Sequence, residues 1–399
     1  MRFKDFFIDG FTIDWQKVNE VPEFAAMNSC QQSTIWHKEG NVGNHTALVC
    51  GQMENYILAM GNKLSNKNKL ILMSAALCHD LGKPSTTVWD QKEKQWKTSC
   101  HGNVGEKIVR RLFQEEDLHV REEVCALVRH HMTLHHIFDS DNPKIHEKKI
   151  IELSMAGSTV EKFNILNMCD SLGSINEKET KESVNDRFDR VKKLAEFYGC
   201  YDVPYEFKTL RDKYEYKHGA SLDDLSDNKP YAFRSTVYVM LGLPGAGKNY
   251  WIEHNLPNAI SLSRDDIRTE IGIKGDKPMG NKAQEDMVTS IINKRYLRAI
   301  HDGCDVVINN TNTLRKWRDA FKEKVMDIPE PPKFVYVYVD APIDLCNSRR
   351  EGKMPLDVIQ RMESQFEFPD KFEYDELKMA RGYSEESFFH RLWNKITQK

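Results

Sequence analysis

The segment that most restricts the fold of this sequence is the glycine-rich stretch GLPGAGKN at residues 242–249. It follows the frame G-x-x-x-x-G-K-[ST] of phosphate-binding loops, apart from Asn249 at the final position. The apolar segment 236–241 before it predicts a strand, and YWIEHNL after it predicts a helix. This order of strand, glycine loop and helix predicts an α/β fold whose loop binds phosphate groups.

Each residue type in this loop has a physical role. Gly242, Gly245 and Gly247 allow backbone N–H groups to turn toward phosphate oxygens, and Lys248 would contact the β and γ phosphates of ATP or another NTP. Asn249 replaces the hydroxyl that usually contacts Mg²⁺, but its amide oxygen is an acceptable ligand for this cation, directly or through water. We therefore expect weakened metal binding and not a loss of function.

The rest of the C-terminal half predicts a parallel sheet. The segments STVYVMLG, NAISLS, DVVINN and KFVYVYVD are each followed by a polar helical segment, as in sheets with crossover helices. SRDDIR at 263–268 ends the second of these strands, at the carboxyl edge where such sheets bind ligands. Asp265 and Arg268 would share a helical face there, so they could accept a hydroxyl proton and hold a phosphate. A capping aspartate with a surface ion pair is the alternative.

The first half of the chain follows a different pattern. From about residue 28 to 198 the apolar residues recur at helical spacing, which predicts an all-α bundle. The charged segment 200–234 contains Gly219 and Pro230 and predicts a connector. We therefore predict a multidomain α and α/β protein, with a helical domain at 1–199 and an α/β domain with a parallel sheet and a lid at 235–399.

Histidines and aspartates of the helical half suit a two-metal site. His79 and Asp80 end an apolar helix just before Gly82, which can cap it. Imidazoles and carboxylates suit divalent Mn, Zn, Fe, Ni or Co, and a bridging aspartate can hold two ions. Their partners lie on separate predicted helices and would converge only in three dimensions. The predicted ligands are His45, His79, Asp80, His101, Asp170 and one of His130 and His131.

The apolar residues before the paired histidines favour His131 over His130 as the inward-facing ring. Lys83, just after the dyad, is either a phosphate contact or a solvated side chain. No ligand role is supported for His37, and we expect His135 and His136 at the surface.

The composition of the chain indicates the cellular compartment but does not identify the substrate. The formal charge of -3 is too close to neutral to indicate or exclude a nucleic-acid partner. The nine cysteines form no C-x-x-C pair, so neither a zinc knuckle nor a disulfide framework is indicated, and a reducing cytoplasm fits best. No segment is long and apolar enough to predict a membrane span.

In family terms, the C-terminal half resembles the kinase module of phage-type 5′-OH polynucleotide kinases. The resemblance rests on GLPGAGK, SRDDIR, the NTN of 310–312 and CNSRREGKMP at 346–355. It implies that Lys248 and Asn249 bind ATP and its metal, that Asp265 is the general base, and that Arg268 holds the acceptor phosphate.

The same resemblance implies an acceptor-binding motif and a lid arginine. Asn310, Thr311 and Asn312 would contact the acceptor nucleotide, although the family usually has aspartate where Asn310 stands. The lid arginine that stabilises the transferring phosphate would be Arg350, with Arg349 as the alternative because the loop before Pro355 is one residue short.

The helical half resembles the HD superfamily of phosphohydrolases through His45, the His79–Asp80 pair and Asp170. Its opening, HKEGNVGNHT, is similar to the HD domain attached to bacterial tRNA nucleotidyltransferases. The additional histidines imply the two-metal variety, with Asp80 as a catalytic ligand.

The order of the two halves resembles bifunctional bacterial HD-polynucleotide kinase end-healing enzymes. That resemblance implies hydrolysis of 2′,3′-cyclic and terminal 2′ or 3′ phosphates, together with transfer of an NTP γ-phosphate to a 5′-hydroxyl end. RNA ends are the expected substrate, DNA ends are a further candidate, and a ligase would follow. The alternatives are a free-nucleotide phosphohydrolase fused to a small-molecule kinase, and a protein in which one half only senses nucleotide.

Overall fold

The computed structural model describes residues 1–225, 232–273, 281–350 and 354–383. The chain divides into two compact units, Met1–Glu206 and Phe207–Lys399. The segment 200–234 is shared between them, because Cys200 is buried in the core of the first unit and Leu210 in a core of the second. Positions 226–231 of that segment, 351–353 of the predicted lid and 384–399 of the predicted α/β domain lie outside the described residues.

The first unit is helical, which confirms the predicted bundle. Its central helix has a continuous apolar run, residues 70–78, and is buried over most of its length. Short 3-10 helices cover Phe3–Phe6, Ala26–Ser29, Gly61–Lys63 and His131–Leu134. The α-helices are α1 (Trp15–Glu20), α2 (Pro22–Ala25), α3 (Val42–Met60), α4 (Asn66–Cys78), α5 (Lys83–Thr86), α6 (His101–Leu112), α7 (Leu118–His130), α8 (Pro143–Ser154), α9 (Val160–Gly173) and α10 (Lys181–Phe197).

Helix α4 lies at the centre of this bundle. It contacts α3, α7 and α9, while α6 packs along α7. The apolar side chains of these helices form one core, which places the carboxyl end of α4 among four neighbouring helices. Any polar side chain that follows α4 is therefore surrounded by other helix ends.

A β-hairpin interrupts the helical unit, and no sequence pattern predicted it. Strands β1 (Thr87–Asp90) and β2 (Gln95–Thr98) pair antiparallel, with Trp89 opposite Trp96. The two strands are short and joined by a charged turn, so they lack the apolar alternation that usually indicates a strand.

The second unit is α/β and confirms the predicted parallel sheet. The strands are β3 (Thr236–Leu241), β4 (Ile260–Leu262), β5 (Val306–Ile308), β6 (Lys333–Asp340) and β7 (Glu376–Arg381), in the spatial order β4-β5-β3-β6-β7, and every pairing is parallel. The first four match the predicted strands. Strand β7 was not predicted because its sequence, ELKMAR, has no apolar run and lies half-buried at the sheet edge.

Side chains of the central strand alternate between two cores. Val237, Val239 and Leu241 face one apolar core, and Met240 faces the other, so β3 is covered on both faces. The helices are α11 (Leu210–Lys217), α12 (Lys248–Asn255), α13 (Arg264–Glu270), α14 (Lys282–His301), α15 (Arg315–Lys322), α16 (Ile343–Ser348) and α17 (Leu356–Ser364). Among the described residues of both units, none of the helices combines the length and the apolar character needed to cross a membrane.

Candidate active sites

The first candidate site lies where α4 ends in the helical unit. His79 and Asp80 follow the last residue of α4 and are completely buried. His79 Nδ1 donates a hydrogen bond to the carbonyl oxygen of Ala76 at 2.8 Å, and His79 Nε2 lies 3.3 Å from Asp80 Oδ2. A ring held in this way by a backbone carbonyl presents its other nitrogen as a ligand atom.

Two neighbouring helices bring His45 and Asp170 to this dyad. His45 lies on α3 and Asp170 on α9. His45 Nε2 is 2.9 Å from Asp170 Oδ1 and 3.8 Å from Asp80 Oδ2. Four of the predicted ligands, drawn from three helix regions far apart in the sequence, therefore share one buried space.

The other oxygen of Asp80 faces a second pair of histidines. His101 is the first residue of α6, and His131 begins the 3-10 helix after α7. Their Nε2 atoms are 2.9 Å apart and lie 3.4 Å and 3.7 Å from Asp80 Oδ1. Asp80 thus presents one oxygen to each half of the cluster, which is the arrangement of a bridging carboxylate.

Gly82 permits this convergence by having no side chain. The helix-capping role expected for it is wrong, because α4 ends at Cys78 and Gly82 has an ordinary right-handed φ of -80°. A Cβ atom at Gly82 would lie 2.0 Å from the carbonyl oxygen of His101. The close approach of α6, and with it the position of His101, therefore requires glycine here.

Several buried polar atoms of the cluster have unused bonding capacity. Among the described residues, Asp80 Oδ1, Asp80 Oδ2 and His79 Nε2 make no well-directed hydrogen bond, although the Lys83 ammonium forms an ion pair with Asp80 Oδ2 at 2.7 Å. Buried polar atoms in native proteins almost always have a partner, so these atoms call for one that the protein chain does not supply. Metal ions would satisfy them.

The protonation of Asp80, His101 and His131 suits metal ligands, whereas at His45 burial is outweighed by Asp170 and Glu39, which raise its pKa to about 9. Burial opposes ionisation of Asp80, but His79 and Lys83 outweigh it and hold the pKa of Asp80 well below its usual range. Burial lowers the pKa of His101 and lowers that of His131 to about 3. Ionised carboxylates and neutral imidazoles are the donor forms that divalent transition metals bind, so these residues fit the two-metal site that the sequence predicts.

No local sequence pattern indicates Glu39, although it contacts the cluster. Its side chain is 2% exposed, and its Oε1 lies 2.8 Å from His37 Nδ1 and 3.0 Å from His45 Nδ1. Burial opposes the ionised form of Glu39, yet the two histidines hold its pKa below the usual range. Glu39 therefore orients His45 from the side opposite Asp170, and His37 contacts Glu39.

The position of His135 differs from the sequence prediction. It was expected at the surface, but its side chain is 18% exposed and its Nε2 lies 2.9 Å from Asp170 Oδ2. It follows the 3-10 helix 131–134, where the spacing of an α-helix does not apply. His136 is 64% exposed, as expected.

The structure places only one of the paired histidines, His130 and His131, near Asp80. His130 contacts the ring of Phe163 at 6.3 Å between centroids, whereas His131 is the one near Asp80.

Lys83 is 8% exposed, and its Nζ lies 2.7 Å from Asp80 Oδ2 and donates to Gln32 Oε1 at 2.8 Å. The ammonium group is therefore held at the cluster and is not a solvated surface group.

The second candidate site is the glycine loop between β3 and α12. Gly245 and Gly247 have φ angles of +83° and +104°, which residues with a Cβ rarely adopt. The helix begins at Lys248, so the loop delivers its backbone N–H groups to the positive end of α12. Lys248 Nζ donates to the carbonyl oxygens of Gly242 at 2.9 Å and Leu243 at 2.8 Å, and burial lowers its pKa to about 8.

The two candidate lid arginines have different surroundings. Arg349 donates to the carbonyl oxygens of Gly245 and Gly382, both at 2.9 Å, and so connects the loop to the end of β7. The charge of Arg350 helps to lower the pKa of Lys248, after the larger effect of burial. Arg350 thus lies within electrostatic range of Lys248, while Arg349 is engaged by the backbone.

The carboxylate and guanidinium predicted at the sheet edge are in contact. Ser263 caps α13, and Arg268 Nη1 donates to Asp265 Oδ1 at 2.7 Å. Asp265 remains 64% exposed. Glu285 on α14, which no local pattern indicated, accepts from Arg268 Nε at 2.8 Å and from Arg268 Nη2 at 2.9 Å. These hydrogen bonds from Arg268 lower the pKa of Glu285 to about 2.

Residues 310–312 connect the elements around the loop. Asn310 Oδ1 accepts from the backbone N–H of Arg264 at 3.2 Å, and the carbonyl of Thr311 accepts from Gly242 N–H at 3.2 Å. Asn312 is 4% exposed and donates to two strand carbonyls. These residues therefore hold the loop, α13 and β5 together, and the buried amide of Asn312 faces the strands and not the surface.

Asn249 has an amide partner. Asn309, directly after β5, donates from Nδ2 to Asn249 Oδ1 at 3.2 Å. Asn249 stands directly after Lys248, where a Mg²⁺ ligand is expected, so its amide oxygen fits such an ion.

Comparison with known families identifies both regions. Residues 42–155 match the model described as HD domain, and residues 237–369 match the one described as AAA domain. The chain combines an HD domain with an AAA domain. The first match contains the dyad, His45, His101 and His131 but ends before Asp170, and the second match contains the glycine loop.

Individual relatives cover only part of the chain. A protein of Autographa californica nuclear polyhedrosis virus, provisionally named bifunctional polynucleotide kinase/RNA ligase, is 24% identical over 153 residues, which are 35% of this chain and 22% of the relative. Chains from two structures of the Pnkp1/Rnl/Hen1 complex, one described as an RNA repair complex, are 19% and 20% identical. They cover 36% and 32% of this chain and 50% and 43% of their own, with TM-scores of 0.30 and 0.27. The chain thus spans half or less of the length of each.

Proposed function

We propose that this chain is a bifunctional nucleic-acid end-healing enzyme. Its HD domain would hydrolyse 2′,3′-cyclic and terminal 2′ or 3′ phosphates, and its AAA domain would transfer the γ-phosphate of an NTP to a 5′-hydroxyl end. The observation that carries the proposal is the presence, in one chain, of a buried histidine and aspartate cluster and a phosphate loop beside an Asp265–Arg268 pair.

In the HD domain, Asp80 would hold two metal ions because its two oxygens face different histidines. Bound divalent ions supply Lewis acidity and lower the pKa of a water molecule. Lys83, 2.7 Å from Asp80, supplies a positive charge that attracts a terminal phosphate. Hydrolysis then adds water to phosphorus and releases a ribose hydroxyl.

In the AAA domain, the backbone N–H groups of the loop and Lys248 would hold the NTP phosphates, with Mg²⁺ near Asn249. Asp265 is exposed and would accept the proton of the 5′-hydroxyl as its oxygen attacks the γ-phosphate. Arg268 would hold the acceptor phosphate, and Arg350 would stabilise the charge of the transferred group.

The two proposed reactions would act on the two ends of a broken strand. The two reactions leave a 3′-hydroxyl and a 5′-phosphate, which are the ends that a ligase joins. The names of the viral relative and of the RNA repair complex agree with RNA as substrate. A ligase is thus a proposed downstream partner, a reducing cytoplasm suits the nine free cysteines, and DNA ends are a second substrate to test.

The test is an end analysis on one strand. Purified protein is incubated with ATP, Mg²⁺, Mn²⁺ and a single-stranded RNA that carries a 5′-hydroxyl and a 3′-phosphate. We expect a gain of phosphate at the 5′ end and its loss at the 3′ end, with little competition from mononucleotides. Failure to label the 5′ end, or equally strong competition by mononucleotides, contradicts the proposal.

A further inference from the structure

Exposed aromatic and aliphatic side chains lie on two segments that are connected directly to the HD site. Among the described residues, Trp36 is 48% exposed, Trp89 is 42% exposed and Ile35 is 47% exposed. Singly scattered apolar residues on a surface are normal, but exposed apolar side chains on connected segments beside a site often mark where a ligand binds. We call the group Ile35, Trp36, Val88, Trp89 and Trp96 the aromatic rim.

The first part of the rim is one residue from the cluster. Trp36 precedes His37, whose ring centroid is 4.7 Å from that of His45. The turn that holds Trp36 is closed by a hydrogen bond from its N–H to the carbonyl of Ser33 at 3.2 Å. Trp36 is therefore an exposed residue directly before a histidine whose ring packs against the cluster.

The second part of the rim is the β1–β2 hairpin. It begins directly after α5, whose first residue, Lys83, is 2.7 Å from Asp80 Oδ2. Helix α5 has four residues, each rising about 1.5 Å, so the hairpin begins about 6 Å along the helix axis from Lys83. Trp89 and Trp96 face each other across the strands, with centroids 5.3 Å apart.

Hydrogen bonds join the two parts. Ser33 Oγ donates to Gln95 Oε1 at 3.0 Å, and the segment 30–33 also contacts Thr87 and Lys83 through Cys30 and Gln32. The turn and the hairpin are thus one connected border of the site. The hairpin turn exposes Lys92 and Lys94 on either side of Glu93, which leaves these three residues with a net charge of about +1.

We propose that the aromatic rim stacks the bases of a single-stranded nucleic-acid end while its terminal phosphate occupies the HD site. This inference rests on the proposed function and adds its specificity: the rim selects polynucleotide ends over mononucleotides. Aromatic rings stack on any base, and nearby lysines contact the phosphates between bases. Stacked bases are spaced by ~3.4 Å, so a rim next to the cluster reaches the last bases of the strand.

The test compares Trp36→Ala and Trp89→Ala with Phe197→Ala, an exposed aromatic on α10 outside the rim. Substrates are a 3′-phosphorylated oligonucleotide and an aryl phosphate, both assayed with the full-length protein. Each rim substitution should raise KM for the oligonucleotide about tenfold and leave kcat and the aryl phosphate unchanged, since stacking contributes about 1–3 kcal/mol per base. Trp89→Phe should restore most of the loss, and Phe197→Ala should change nothing.

Equal KM values for wild type and both rim variants would overturn the inference. So would rim variants that change the sedimentation behaviour of the protein but not KM, because the rim would then be a self-association surface. If the wild-type protein removes no phosphate at all, the proposed function fails. The rim is then tested alone by titrating single-stranded oligonucleotide against tryptophan fluorescence, where unchanged affinity of Trp36→Ala and Trp89→Ala rejects it.

Discussion

The candidate sites of the HD domain and the AAA domain are built by opposite means. In the HD domain, side chains from separate helices converge, and His79 and Asp80 are 0% exposed. In the AAA domain, consecutive residues bend through positive φ angles and present their own backbone N–H groups. The first site therefore depends on packing across a whole unit, whereas the second depends on local backbone conformation and a few charged side chains.

The largest effect that separates the two domains is expected from Asp80→Ala. It removes the only carboxylate of the described cluster that faces both histidine pairs, so metal content and 3′-phosphate removal should fall by at least about 10²-fold. The 5′ labelling should persist. Asp139→Ala, at a position 65% exposed, is the matched control and should change neither activity. Loss of both activities in folded Asp80→Ala protein would contradict the separation.

Lys248→Ala should have the reverse effect. The ammonium that we propose to contact the NTP phosphates is lost, so 5′ labelling should drop by about 10²–10³-fold while 3′-phosphate removal continues. Lys324→Ala removes an exposed lysine of the same domain and should leave labelling intact. Both reactions are followed on the same oligonucleotide, and a parallel drop in phosphate removal would argue against two sites.

Glu39→Gln tests whether the HD site depends on a carboxylate that touches its ligand. Loss of the charge beside His45 should weaken metal binding by about 10–100-fold without changing nucleotide affinity. Metal affinity is measured by competition with a chelator. Glu177→Gln, at an exposed partner of Lys38, should bind metal like wild type, and unchanged affinity in Glu39→Gln itself would mean that Glu39 does not orient His45.

Gly82→Ala tests whether the HD site depends on the close packing of α6 against the segment after α4. The added Cβ would meet His101 O at 2.0 Å, so we expect the free energy of unfolding to fall by about 1–3 kcal/mol, together with weaker metal binding. Gly51→Ala is the control, because a Cβ there meets no atom within 4 Å and alanine favours the helix. Urea denaturation measures both, and equal stability of the two variants would show that α6 does not need glycine at position 82.

The smallest effect is a pH dependence confined to the AAA domain. The pKa of Lys248, lowered to about 8 by burial, means that the amine is charged below that pH and neutral above it. Affinity for an ATP analogue should therefore decrease as the pH rises from 7 to 9, by up to about tenfold. Calorimetric titration at several pH values measures it, and a constant affinity would show that Lys248 stays charged or does not contact the phosphates.

The same contrast explains what could be predicted from the sequence. The loop, its strand and its helix were predictable because each depends on neighbouring residues, and the buried strands β3, β5 and β6 show clear apolar segments. His79 and Asp80 were also recognisable, since they end an apolar helix. These features follow from local patterns that secondary structure imposes on a chain.

The remaining parts depend on contacts between distant segments. Glu39 reaches His45 from a loop, Glu285 reaches Arg268 from another helix, and His135 reaches Asp170 from an irregular turn. The hairpin and β7 have short, polar sequences that gain order from pairing and packing. No sequence spacing encodes these approaches, so only the fold identifies them.

The most direct test is crystallography of the protein with Mn²⁺ and a non-hydrolysable ATP analogue, using the anomalous signal of manganese. The account predicts manganese bound at both oxygens of Asp80 and the analogue's phosphates against the backbone N–H groups of residues 243–248. Manganese absent from Asp80, or a nucleotide bound away from that loop, would contradict it.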